Sequence, residues 1–156
     1  MKHSNHRVAL LAAALLCLPS IAAAAPPPDA TSRVAVCNSG YFAEMSLDFG
    51  NTGTTATVVA KAHLVSSPVG PFPPKPPYFN VYASASHRPD AASAWSSNDQ
   101  QSDGYDSYPA QPARAQKSMF RTPTCELAGS AVVSVHCPSG QWEYKTLDRV
   151  WVGCGL

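Results

Sequence analysis

The residues of this chain whose chemistry is easiest to state are four cysteines, Cys37, Cys125, Cys137 and Cys154. Apart from Cys17, which lies inside an apolar N-terminal run, they form an even set without a CxxC pair. In an oxidising compartment such a set forms disulfides in preference to a metal site. Other reactive side chains make weaker patterns. His63, Asp99 or Asp103, and Ser139 are the types a serine hydrolase uses, but no nucleophile-elbow sequence surrounds Ser139, and the triad works only where its members converge. Asp99, Gln101, Asp103 and Gly104 match positions 1, 3, 5 and 6 of a calcium loop and Ser107 matches position 9, yet Ala110 stands where the closing bidentate glutamate belongs. His63, His87 and His136 lack the paired spacing of zinc ligands. Among the carboxylates, Glu44, Asp48, Glu126 and Glu143 read as solvent-face or turn positions, so with Asp148 they offer no evident acid and base pair. The expectation is a non-enzymatic protein that needs no cofactor or metal.

The first residues speak to compartment. Lys2 and Arg7 precede an apolar run from Val8 to Leu18, and Ala22-Ala23-Ala24-Ala25 closes it with small residues. This pattern predicts a signal peptide over residues 1–24, too short for a membrane span, with cleavage after Ala24. Cys17 follows Leu16, whereas a lipid-attachment cysteine needs a small residue before it. The expected mature protein is one secreted or periplasmic domain over residues 25–156, with no membrane insertion after cleavage. Removing Lys2 and Arg7 from 11 basic residues leaves nine against 10 acidic ones, a formal net charge of −1. So near-neutral a chain lacks the basic footprint for nucleic acid or anionic membrane.

The elements that must position these groups read as β-strands. From Ser130 to Cys137, Ala131, Val133, Val135 and Cys137 point one way while Ser130, Ser134 and His136 point the other. After the turn Pro138-Ser139-Gly140, Trp142 and Tyr144 alternate with Glu143 and Lys145 in a returning strand. If Cys137 lies opposite Gln141 and the register continues, Cys154 falls within about one residue of Cys125. That gives Cys125–Cys154, and Cys37–Cys137 follows by elimination. A bulge or extra turn at Leu147-Asp148-Arg149, where the apolar positions pass from Trp142 and Tyr144 through Leu147 to Val150 and Val152, is the place where this register could break.

Upstream, Arg33 to Cys37 reads as a strand. Tyr41, Ala43, Met45, Leu47 and Phe49 share one face of the next, and Ala56, Val58, Ala60, Ala62 and Leu64 share a face of its partner. With a turn over Gly50-Asn51-Thr52-Gly53, Phe49 is expected to face Thr54, Leu47 to face Ala56 and Met45 to face Val58. Residues 66–77, with Pro68, Pro71, Pro73, Pro74, Pro76 and Pro77, read as a stiff crossover between sheets. Phe79, Val81, Ala83 and Ala85 then point inward from a strand whose outer face holds Tyr78 and Tyr82. Residues 87–118 have neither helical nor strand period and are expected to be a long polar loop bearing Trp95, Tyr105 and Tyr108. The fold class is therefore all-β, a small antiparallel sandwich or barrel with two disulfides and a long irregular loop.

Two short resemblances accompany this reading. Cys137-Pro138-Ser139-Gly140-Gln141-Trp142, with Cys154 and a first-to-third, second-to-fourth pairing, is similar to the end of a complement-control (sushi) module, from which the long gap between Cys37 and Cys125 departs. Cys37-Asn38-Ser39-Gly40 with a closing cysteine resembles periplasmic inhibitors of C-type lysozyme. That second resemblance implies bridges Cys37–Cys154 and Cys125–Cys137, and a serine-bearing loop such as Ser84-Ala85-Ser86 facing the target enzyme.

The leading functional expectation is a non-enzymatic binding or interaction domain whose partner is an extracellular or periplasmic protein or glycan. Its candidate surface is Tyr78, Tyr82, Trp95, Tyr105 and Tyr108, because partly exposed aromatic side chains supply binding energy at low entropic cost. The alternative is a proteinaceous inhibitor of an extracellular hydrolase such as lysozyme or a protease.

Overall fold

A computed structural model describes residues 26–27, 29–37, 40–66, 78–104 and 111–154. The segments expected to be the signal peptide and most of the proline-rich crossover, and with them Tyr105 and Tyr108, lie outside the described residues. Eight strands form: β1 (Ala30–Val36), β2 (Tyr41–Thr52), β3 (Thr55–Ser66), β4 (Tyr78–Arg88), β5 (Ser96–Gly104), β6 (Ala113–Phe120), β7 (Glu126–His136) and β8 (Trp142–Val152). They make two four-stranded antiparallel sheets, β1-β2-β3-β6 and β5-β4-β7-β8, packed as a sandwich that does not close into a barrel. Because β3 and β4 belong to different sheets, the segment between them joins the two layers.

Strict alternation builds the core. Tyr41 to Phe49, Ala56 to Leu64 and Phe79 to Ala85 bury every second residue, and Ala131, Val133 and Val135 bury the same face of β7. Large residues on one strand lie beside small ones on the next, with Leu47 opposite Ala60 and Met45 opposite Ala62. The β2–β3 faces are those read from the sequence, but the pairing is displaced by four residues from the expected one. Phe49 faces Val58, and the turn is only Gly53 and Thr54. Gly53 opens that two-residue turn at φ +55, the placement that suits the twist of a II′ hairpin, so Gly50-Asn51-Thr52 continues the ladder. A shift by an even number of residues leaves each side chain on its original face.

Both expected disulfides form, Cys125–Cys154 as register placed it and Cys37–Cys137 as elimination left it. The Cys137 amide donates to the Gln141 carbonyl at 2.8 Å, and the amides of Gly153 and Cys154 both donate to the Cys125 carbonyl. Pairing of β7 with β8 runs unbroken from Glu126 opposite Val152 to His136 opposite Trp142, with no bulge at Leu147-Asp148-Arg149. The inward positions of β8 are Glu143, Lys145, Leu147, Arg149 and Trp151, opposite Val135, Val133, Ala131, Gly129 and Leu127. Trp142, Tyr144, Val150 and Val152 all point away from the core.

The long loop expected over residues 87–118 is mostly strand. It contains β5 and most of β6, and Ala113 and Ala115 of β6 belong to the buried core. β5 escapes a periodicity reading because both of its faces are polar. It is the edge of its sheet, and its carboxamides serve the facing edge of the other sheet: Asn98 Nδ2 donates to the Gln116 carbonyl at 3.1 Å, and the Arg114 amide donates to Gln100 Oε1 at 2.6 Å. Backbone groups of β6 that have no neighbouring strand are thereby satisfied by side chains.

Candidate functional site

Whereas the first sheet leaves Phe42 and Phe120 outside the core, the outer face of β5-β4-β7-β8 gathers Tyr78, Tyr82, Trp142 and Tyr144. Strand alternation and register set its rows. At one end Tyr78, His136 and Trp142 lie side by side, and the next row holds Asn80, Ser134 and Tyr144. The Trp142 ring meets Tyr78 edge to face at 5.3 Å between centroids, meets His136 at 5.4 Å, and stacks beside Tyr144 at 6.1 Å with planes 26° apart. Despite these contacts Trp142 is 43% exposed and Tyr144 62% exposed. Tyr82 lies on the same face between Gln101 and Val132, in a row that ends at Thr146.

Beyond it the middle of the face is polar. Asp99, Ser84, Ser130 and Asp148 form a row in which Ser84 Oγ donates to Asp99 Oδ1 at 2.5 Å. The far end is closed by an ion pair. Arg88 Nε and Nη2 both donate to Glu126 Oε2, at 2.8 and 2.6 Å, and the Arg88 guanidinium sits 4.6 Å from the Trp95 ring centroid. Glu126, expected at a solvent-facing or turn position, is buried, which makes its pairing obligatory. Trp95 is thus on a structured turn, in which Asp90 Oδ1 accepts from the Ala92 and Ser93 amides, and it remains 40% exposed.

Of the residues expected to bind, Tyr78 and Tyr82 share this face with the ring cluster, and Trp95 marks its opposite end, ten residues along β4 and so roughly 34 Å away. Trp142, Tyr144 and His136 were not among them. The signal for all three was present: once Cys137 is placed opposite Gln141, Trp142 must face His136, which alternation already turns outward.

The other chemical patterns do not assemble. His63 lies on the outer face of the first sheet opposite Glu44, Asp99 on the outer face of the second, and Ser139 in the β7–β8 turn, so no triad converges. Asp99 to Gly104 are paired strand residues, whose alternation cannot wrap a calcium ion. Cys37, Cys137 and Glu143 are a close group of potential metal ligands, but the two sulfurs are bonded to each other. Glu143 Oε2 instead accepts from the Cys37 amide at 2.5 Å, and hydrogen bonds from Lys145 and from that amide hold its carboxyl below the ordinary carboxylate range. On the first sheet's outer face a shallow depression of about 400 Å³ is lined by Arg33, Glu44, Lys61 and His63. Its cations are engaged, Arg33 with Glu44 at 3.1 Å and Lys61 with Asp48 at 3.0 Å.

The bridges implied by the likeness to lysozyme inhibitors, Cys37–Cys154 and Cys125–Cys137, are not the ones formed, and Ser84-Ala85-Ser86 lies inside β4, not in a loop. Comparison with family models, curated proteins and solved structures yields no match to this chain.

Proposed function

We propose that this chain is a non-catalytic binding module of an oxidising compartment outside the cytoplasm. In this reading it meets an extracellular or periplasmic protein or glycan with the outer face of β5-β4-β7-β8. The observation that carries the reading is the exposed ring cluster of Trp142 and Tyr144, with Tyr78 and His136 packed beside it. Side chains of this size, left in water beside one another on one face of a sheet, mark interaction sites more often than isolated exposed residues do. The two disulfides and the N-terminal apolar run support export.

The test is retention of envelope or culture-medium components on immobilised protein, with proteins and polysaccharides both analysed. Wild type should retain a component that the Trp142→Ala, Tyr144→Ala double variant loses, while urea unfolding shows the variant folded. Equal retention by the two proteins, or none by either, would remove this face from consideration.

A further inference from the structure

Resting on the binding-face reading above, we infer that the ligand of this face is an extended, uncharged glycan seated first on Trp142 and Tyr144. By register the outer face of β5-β4-β7-β8 carries Asp99 and Asp148, and its one lysine or arginine among the described residues, Arg88, is committed to Glu126. A polyanion, whether nucleic acid, acidic polysaccharide or anionic lipid headgroup, would meet carboxylates and no free cation there.

The remaining polar groups are hydroxyls and carboxamides: Asn80, Ser84, Gln101, Ser130 and Thr146. Protein interfaces are depleted at their cores in aspartate and serine, and this face sets both between its aromatic ends. A polyol has the opposite requirement. Its hydroxyls exchange hydrogen bonds with hydroxyl, carboxamide and carboxylate groups, while the C–H face of each pyranose lies flat on an aromatic ring. Tyr144 is 62% exposed and Trp142, stacked beside it, is 43% exposed, so the pair leaves aromatic ring surface in water. Tyr78 and His136 pack against Trp142 in T-shaped contacts, so its ring is held in place before any ligand arrives. Length points to a chain and not a single sugar, since the face continues from this cluster past Tyr82 and the Ser84–Asp99 row to Arg88 and Trp95.

The experiment is calorimetric titration of the full disulfide-bonded domain with cellohexaose and chitohexaose, neutral chains of different substitution, and with polygalacturonate as the charged control. Binding to at least one neutral hexasaccharide is expected, with weak or no binding to the polyanion. Tyr144→Ala should weaken that binding at least about tenfold, a loss of about 1.4 kcal/mol. Tyr144→Phe, which keeps the ring, should stay within a few-fold of wild type, and Phe120→Ala, an exposed aromatic change on the first sheet, should be silent. Neutral chains that fail to bind, binding indifferent to Tyr144→Ala, or preference for polygalacturonate would each overturn the inference. If no glycan binds but the immobilised protein retains a protein through Trp142 and Tyr144, the glycan inference fails and the binding face stands. If that retention is also absent, both fall.

Discussion

At Gly129 the two sheets come closer than a side chain allows. A Cβ there would stand 2.9 Å from Leu47 Cδ2 and 3.0 Å from Val58 Cγ2, both in fully buried residues. Gly129→Ala should therefore destabilise by about 1–3 kcal/mol through overpacking, although alanine suits a strand better than glycine does. Ser130→Ala, facing outward one residue later, should cost far less, and the difference between the two urea midpoints reads the effect directly. His87 gives a second prediction at this scale. Its Nδ1 is buried with no hydrogen-bond partner among the described residues, and burial, with a smaller contribution from Lys117, lowers its pKa below the ordinary 6.5. Between those two values the unfolded chain holds more protons than the folded one, so stability rises with pH. The His87 contribution is complete above pH 6.5 and declines as the pH falls toward the folded value. His87→Gln should flatten the fall in urea stability between pH 7 and pH 5; an unchanged slope would show that the imidazole is not desolvated.

Elements with one apolar face were legible in the sequence, and those without were not. β2, β3, β4 and β7 announce themselves because alternate positions carry Leu, Val, Phe and Met, and the β7–β8 register located Cys125–Cys154 and left Cys37–Cys137 by elimination. The β2–β3 register was not legible to the residue, because a four-residue shift keeps all side chains on the correct faces and only the turn geometry at Gly53 decides it. β5, Ser-Ser-Asn-Asp-Gln-Gln-Ser-Asp-Gly, is held by backbone pairing to β4 and by carboxamide bonds to β6, neither of which leaves a hydrophobic trace. On β8, alternation groups Trp142 with Tyr144 without saying which way that face points, and register turns it outward. A consequence separates these readings experimentally. If residues 87–118 were a dispensable loop, replacing 90–116 with a short Gly-Ser linker would leave the fold intact. With β5 and half of β6 in that span, including the buried Ala113 and Ala115, the shortened chain should lose its cooperative unfolding transition and its β-sheet circular dichroism.

Across the whole molecule the two disulfides divide their work. Cys37–Cys137 ties the β1–β2 end of one sheet to the end of β7 in the other, while Cys125–Cys154 joins the start of β7 to the end of β8 beside the buried Trp151. Cys37 is half-buried and lines a surface recess of about 340 Å³, whereas Cys125 and Cys154 are fully buried. Under limiting reductant at neutral pH, alkylation and mass spectrometry should find Cys37 and Cys137 labelled well before Cys125 and Cys154, because access controls thiol exchange.

Of the sandwich's two outer faces, the one formed by β5-β4-β7-β8 is proposed to bind. An NMR titration with the better of the two neutral hexasaccharides tests it most directly, because the indole signals of Trp142, Trp95 and Trp151 report separate places in one spectrum. The Trp142 indole and the backbone amides of Tyr78, His136 and Tyr144 should shift with a common affinity, while the buried Trp151 and the first-sheet residues Arg33, Glu44 and Lys61 stay still. Shifts confined to Arg33, Glu44 and Lys61, with Trp142 unmoved, would contradict the claim.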